Sequence, residues 1–123
     1  MEKILNVGGK DVKFKATAGT MLRYRTYFGK DLIKDIMKLK DKLTGKIESG
    51  KEFEIIDLDM FEKIAWTMAK TADDNTPDIE HWLDEFEVFD IMQVLPEIIE
   101  LFIANNKQLN DKKKLEMVAE NMK

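Results

Sequence analysis

Two kinds of hydrophobic spacing run along this chain, and the change from one to the other sets out its elements. Near the N-terminus, Ile4, Val7, Val12 and Phe14 sit in two short stretches on either side of Gly8-Gly9, the pattern of a β-hairpin. Two such strands are marginal alone and must pack on something else. Beyond them the apolar residues recur at helical spacing. Thr17 is placed to cap a helix that runs to about Phe28 and is stopped by Gly29. A second helix, from Asp31 to Leu43, gathers Leu32, Ile36, Leu39 and Leu43 on one face. Its other face carries Lys34, Lys38 and Lys42 beside Asp31 and Asp35.

The stretch from Thr44 to Glu54 contains Gly45, Ser49 and Gly50 and reads as a flexible connection. Asp57 then caps a helix to about Ala72, with Phe61, Ala65, Met68 and Ala72 inward. Asp73-Asp74-Asn75 breaks it. Thr76-Pro77 supplies a capping hydroxyl and a first-position proline for the next helix, whose apolar face is Trp82, Leu83, Phe86 and Phe89. The last helix covers about Ile91 to Asn105, with Pro96 inside it. At 100° per residue, Ile91, Val94, Leu95, Ile98, Leu101 and Phe102 share one arc. Met92, Ile99 and Ile103 widen that arc to about 200° of the circumference, more than a one-sided helix needs. Such a helix is either central to the fold or has a second face for a partner. Trp66 lies at the edge of its own helix's arc, and Met60 lies outside it.

The expected fold class is therefore α+β and predominantly α-helical, with an N-terminal β-hairpin packed on a bundle of about five helices. Residues 1–106 are expected to form a single domain, and 107–123 a polar, flexible tail. The length of 123 residues with 44% hydrophobic content suits one core of this kind. No apolar run approaches the roughly 20 residues of a membrane helix, and the first residues lack a secretory pattern. Membrane partners are not expected, and the absence of cysteine suits a reducing cytosol.

The net charge of −4 conceals a strong polarity. Residues 1–46 carry 12 basic and 5 acidic side chains, whereas residues 47–106 carry 3 basic and 16 acidic ones. The two parts can face each other within one monomer or join copies head to tail, so a homo-oligomer that loosens at high salt is one expectation.

Candidate chemistry is sparse. His81 is the single histidine, with Asp78 and Glu85 at helical spacing beside it, but nothing specifies further metal ligands. The acidic stretch from Asp73 to Glu80 lacks the spacing and central glycine of a calcium loop. Gly8-Gly9 is followed by no Gly-Lys-Ser/Thr, and the one serine, Ser49, has no histidine near it in sequence. No catalytic set, cofactor or metal is expected, and the chain reads as a non-enzyme. Arg23, Tyr24, Arg25 and Tyr27 cluster as in nucleic-acid binders. Arg25 falls between Met21 and Phe28 on the apolar arc, so it is expected to form a partly buried structural ion pair instead. With the acidic middle of the chain, nucleic acid is not an expected partner.

The stretch Phe14-Lys15-Ala16-Thr17-Ala18-Gly19-Thr20, followed by Arg23-Tyr24-Arg25-Thr26-Tyr27-Phe28-Gly29-Lys30-Asp31-Leu32, resembles the tail assembly chaperones of long-tailed (siphovirus-type) phages and prophages of Gram-positive bacteria. Trp66-Thr67-Met68-Ala69-Lys70 agrees in order, as does Trp82-Leu83-Asp84-Glu85-Phe86 with the apolar helix through Phe102 and Asn105. The resemblance spans about residues 1–106. It implies an assembly factor of the host cytoplasm that is not part of the mature virion. Such a protein would bind and solubilise the tape measure protein and help recruit tail tube subunits. It also implies a longer product made by ribosomal frameshifting, for which the codons of Lys112-Lys113-Lys114 are a suitable place. A client or self-association surface is then expected on Met92, Ile99 and Ile103, with Trp66 second. On that expectation, Ile99→Asp stays folded and loses its client. The alternative is a prophage-encoded protein-binding adaptor with a different partner.

Overall fold

The computed structural model describes residues 2–43 and 55–105; the expected connection at 44–54 and the tail at 107–123 lie outside them. Strands β1 (Glu2–Val7) and β2 (Lys10–Lys15) are followed by helices α1 (Ala18–Phe28), α2 (Leu32–Leu43), α3 (Ile55–Ala72), α4 (Ile79–Asp84) and α5 (Ile91–Asn105). Over the described residues the fold is α+β and mostly helical, a two-stranded antiparallel hairpin on five helices.

Gly8 and Gly9 have φ of 57° and 87°, the pair of positive values that a tight two-residue hairpin turn requires. Asn6 Oδ1 accepts from the Gly9 N–H at 3.1 Å and steadies that turn. Gly8 is irreplaceable for a second reason: a Cβ there would lie 2.3 Å from the backbone oxygen of Val88. The register pairs Leu5 with Val12, Val7 with Lys10 and Lys3 with Phe14. Side chains alternate across a strand, so Leu5, Val7, Val12 and Phe14 face the helices, while Ile4 points to solvent.

Thr17 and Thr20 cap α1 reciprocally, and Gly29 closes it in the left-handed conformation with its N–H on the Arg25 oxygen. Asp31 caps α2 through the N–H groups of Ile33 and Lys34. Leu32, Ile36 and Leu39 turn inward as the spacing predicts, and Asp35 goes with them. Asp35 is three residues after Leu32 and four before Leu39, so helical geometry places it on the buried face despite its charge. There it accepts a 2.7 Å hydrogen bond from the Tyr24 hydroxyl, joining α2 to α1.

Helix α3 is the centre of the fold. It packs against β2, α1, α2, α4 and α5. Every residue from Met60 to Ala69 except Glu62 and Lys63 is buried, so its inward face is far wider than the four expected residues. Met60 and Trp66 belong to this core. The buried Thr67 hydroxyl donates back to the Lys63 carbonyl at 2.7 Å and Thr71 to the Thr67 carbonyl at 2.8 Å, which satisfies polar atoms that water cannot reach. The helix begins at Ile55, ahead of the expected cap Asp57. That residue is buried and ion-paired with Lys42 at the end of α2.

The start of α4 also differs from expectation. Its cap is Asp78, whose carboxylate accepts from the His81 N–H, whereas the Thr76 hydroxyl bonds back to the Ala69 and Asp73 carbonyls. Thr76 therefore finishes α3 instead of starting α4. Asp90 caps α5 through the N–H groups of Met92 and Gln93. Between these helices Phe61, Trp82, Phe86 and Phe89 stack with centroids 5.0–5.7 Å apart, fixing α4 and the following turn to α3.

Candidate functional site

The residues expected to form a partner surface do not meet on one surface. Ile99 is 5% exposed, and Trp66 is 3% exposed. Ile103 is half-buried against the core, and only Met92, 61% exposed, faces solvent. The cause lies in the neighbours of α5, which packs on α2, α3 and β1 and so uses up its wide apolar arc inside the fold. Arg25 also departs from expectation. It is exposed, and among the described residues no ion pair includes it. The buried face of α1 is centred on Thr20 and Tyr24, which turns Arg25 outward.

Trp66 nevertheless stands at the floor of an aromatic groove. Its indole N–H donates to the Pro77 carbonyl at 2.7 Å, which fixes the ring in one orientation. Tyr27 meets it edge-on with centroids 4.9 Å apart, and Phe28 does so at 5.6 Å. The groove has a volume of about 310 Å³ and is completed by Lys70, Thr76, Asp78 and Ile79. Lys70 Nζ donates to the Asp74 and Thr76 carbonyls, which ties this lining residue to the turn after α3. Lys63 lies 5.5 Å from the Phe28 ring centre, a cation over an aromatic face. Tyr27 itself is 56% exposed at the rim. An aromatic ring on a buried, immobilised partner is the kind of anchor that concentrates binding energy at protein interfaces.

Two other features are open to a partner. The elbow between α1 and α2 forms a groove of about 570 Å³ with Met21, Leu22, Arg25 and Ile33 along it. Val88, whose backbone lies against Gly8 of the hairpin turn, and Met92 on α5 are both exposed. Sequence periodicity gave no sign of Leu22, Tyr27 or Val88 as exposed positions, because exposure depends on which helix covers which.

His81 is exposed and forms an ion pair with Asp78, Nδ1 to Oδ1, at 2.5 Å, while Glu85 turns away to Lys10. No group of three metal-ligating side chains occurs among the described residues. The hydrogen bond to Asp78 and its charge raise the His81 pKa above the ordinary histidine value, and the hydrogen bonds and charge of His81 lower that of Asp78. A raised histidine and a lowered aspartate mean that the pair's contribution is fully present between the unfolded values, about 3.9 for aspartate and about 6.5 for histidine, and is lost as pH rises through the folded histidine value or falls through the folded aspartate value. In an NMR titration, Asp78→Asn, which keeps a capping side chain, is expected to bring the His81 midpoint down toward the ordinary value. An unchanged midpoint would mean that Asp78 does not set it.

Comparison with family models, with curated proteins and with solved structures gives no match for this chain. No described helix is long and apolar enough to cross a membrane.

Proposed function

We propose that this chain is a non-enzymatic tail assembly chaperone of a long-tailed phage or prophage, acting in the host cytoplasm and absent from the finished virion. Its client is the tape measure protein, which it binds and keeps soluble. Recruitment of tail tube subunits, self-association and a frameshift-extended product belong to the same proposal. The observation that carries the reading is where the resembling blocks lie in the fold. Tyr27 and Phe28 come from the first block and Trp66 from the second, and the three rings form one groove although about forty residues separate them in the chain. The resemblance therefore falls on a surface feature as well as on core positions. An apolar groove with an exposed aromatic rim fits the apolar side of a client helix, which presents side chains at successive turns. Many weak contacts of this kind add up along a long client.

The test is co-expression with the tape measure protein encoded on the same genome. The tape measure protein is expected in the soluble fraction, bound to many copies of this chain, and in the pellet without it. A tape measure protein that sediments equally with and without the chain would refute the reading.

A further inference from the structure

The edge of β2 that faces away from β1 borders a groove of about 260 Å³, and four consecutive strand residues, Lys10 to Lys13, line it. Successive side chains of a strand point to opposite faces, so four residues in a row can border one space only along the strand's edge. The far wall is the α3–α4 turn and α4, with Asn75, Pro77 and Glu85, and its floor includes Ala69, Trp82 and Phe86. The groove thus separates β2 from the next part of the protein by a gap lying beside its main chain.

That main chain has groups to offer. The two-residue turn closes on Val7 and Lys10 as a hydrogen-bonded pair, and such pairs alternate along an antiparallel ladder. Asp11, paired with Asn6, and Lys13, paired with Ile4, therefore direct their N–H and C=O groups away from β1 and along the groove. No backbone hydrogen bond among the described residues engages them outside the hairpin. The opposite edge differs: α5 packs along β1, with Lys3 ion-paired to Glu97.

Charge selects the occupant. The lysines of β2 are already matched, Lys10 to Glu85 at 2.8 Å, and Lys13 and Lys15 to Glu2 at 3.5 and 3.8 Å. Asp11 and Asp73 on the groove accept only neutral donors, Asn6 Nδ2 and the Asn75 N–H, and form no ion pair among the described residues. Residues 73–87 contain seven acidic side chains and no lysine or arginine. We propose that the open edge of β2 is a docking site for an extended, basic segment of a partner protein, which adds to the hairpin as a third, antiparallel strand. Its alternate apolar side chains enter the groove over Trp82 and Phe86, and its basic ones lie against Asp11 and the acidic wall. This site is distinct from the aromatic groove and does not depend on the chaperone reading.

The probe is a synthetic peptide of alternating lysine and valine, in three forms: unmodified, or N-methylated on one or the other alternate set of amides. Binding is read by fluorescence anisotropy, and amide hydrogen exchange follows Asp11 and Lys13. The unmodified peptide is expected to bind and to protect both amides. Methylation of one set should weaken binding at least tenfold, and methylation of the other set should leave it nearly unchanged. Lys13→Pro removes an outward N–H at a strand edge where proline is tolerated, and it should lose binding while the helical signal persists. Equal affinity for all three peptides, no protection of the two amides, or no binding of the unmodified peptide would overturn the proposal.

Discussion

Replacing Ile99 by aspartate is expected to unfold the chain, abolishing its helical circular dichroism at room temperature. Ile99 lies inside the packing of α5 against the rest of the core, with 5% of its surface exposed. Removing the side chain forfeits about 1.5–3 kcal/mol of burial. The carboxylate put in its place must be desolvated or protonated with no cation to meet it, at a cost of several kcal/mol more. Together these rival the whole stability of a domain this size, about 5–15 kcal/mol. Met92→Asp is the control on the same helix: at an exposed position it should melt within a few degrees of the unmodified protein. An Ile99→Asp protein that also does so would mean that α5 does not pack as described.

Tyr24→Phe is expected to lower the melting temperature by about 5–15 °C, the equivalent of about 1.5–3 kcal/mol for a hydrogen bond to a charged group in a domain of this length. The substitution keeps the ring, which is fully buried, and removes only the hydroxyl from which buried Asp35 accepts. Burial, followed by the hydrogen bond and charge of Asp35, raises the Tyr24 pKa far above the ordinary tyrosine value. The native protein therefore keeps Tyr24 neutral where the unfolded chain would ionise it. Stability from this source is fully present below about pH 10 and falls as the pH rises further. Thermal melts against pH should show that alkaline loss in the unmodified protein and not in Tyr24→Phe. A phenylalanine variant with unchanged stability would remove the hydrogen bond from the account.

How much of this was legible beforehand depended on whether the determining interaction was local. Gly8-Gly9, the Thr17 cap and the Gly29 stop are contained within a few residues, and each appears where the sequence placed it. The α4 start slipped by two residues because Asp78 caps it in place of Thr76, whose hydroxyl is taken by the Ala69 carbonyl, a contact that the local sequence does not record. Asp35 reads as solvent-facing by its charge; its position relative to Leu32 and Leu39 says otherwise, and a tyrosine on another helix satisfies it. The wide arc of α5 was visible in the sequence, but whether its extra residues met a partner or the chain's own α2, α3 and β1 was not. The aromatic groove had its rings in plain view. Their meeting depends on α1 lying across the middle of α3, which no periodicity records.

The most direct test is the aggregation of a purified tape measure fragment, followed by light scattering with this chain in molar excess. The unmodified chain is expected to suppress the scattering. Tyr27→Ala, a change at a half-exposed ring with little effect on stability, should lose most of that suppression, corresponding to at least about tenfold weaker binding. Scattering that rises at the same rate with and without the unmodified chain would contradict the account.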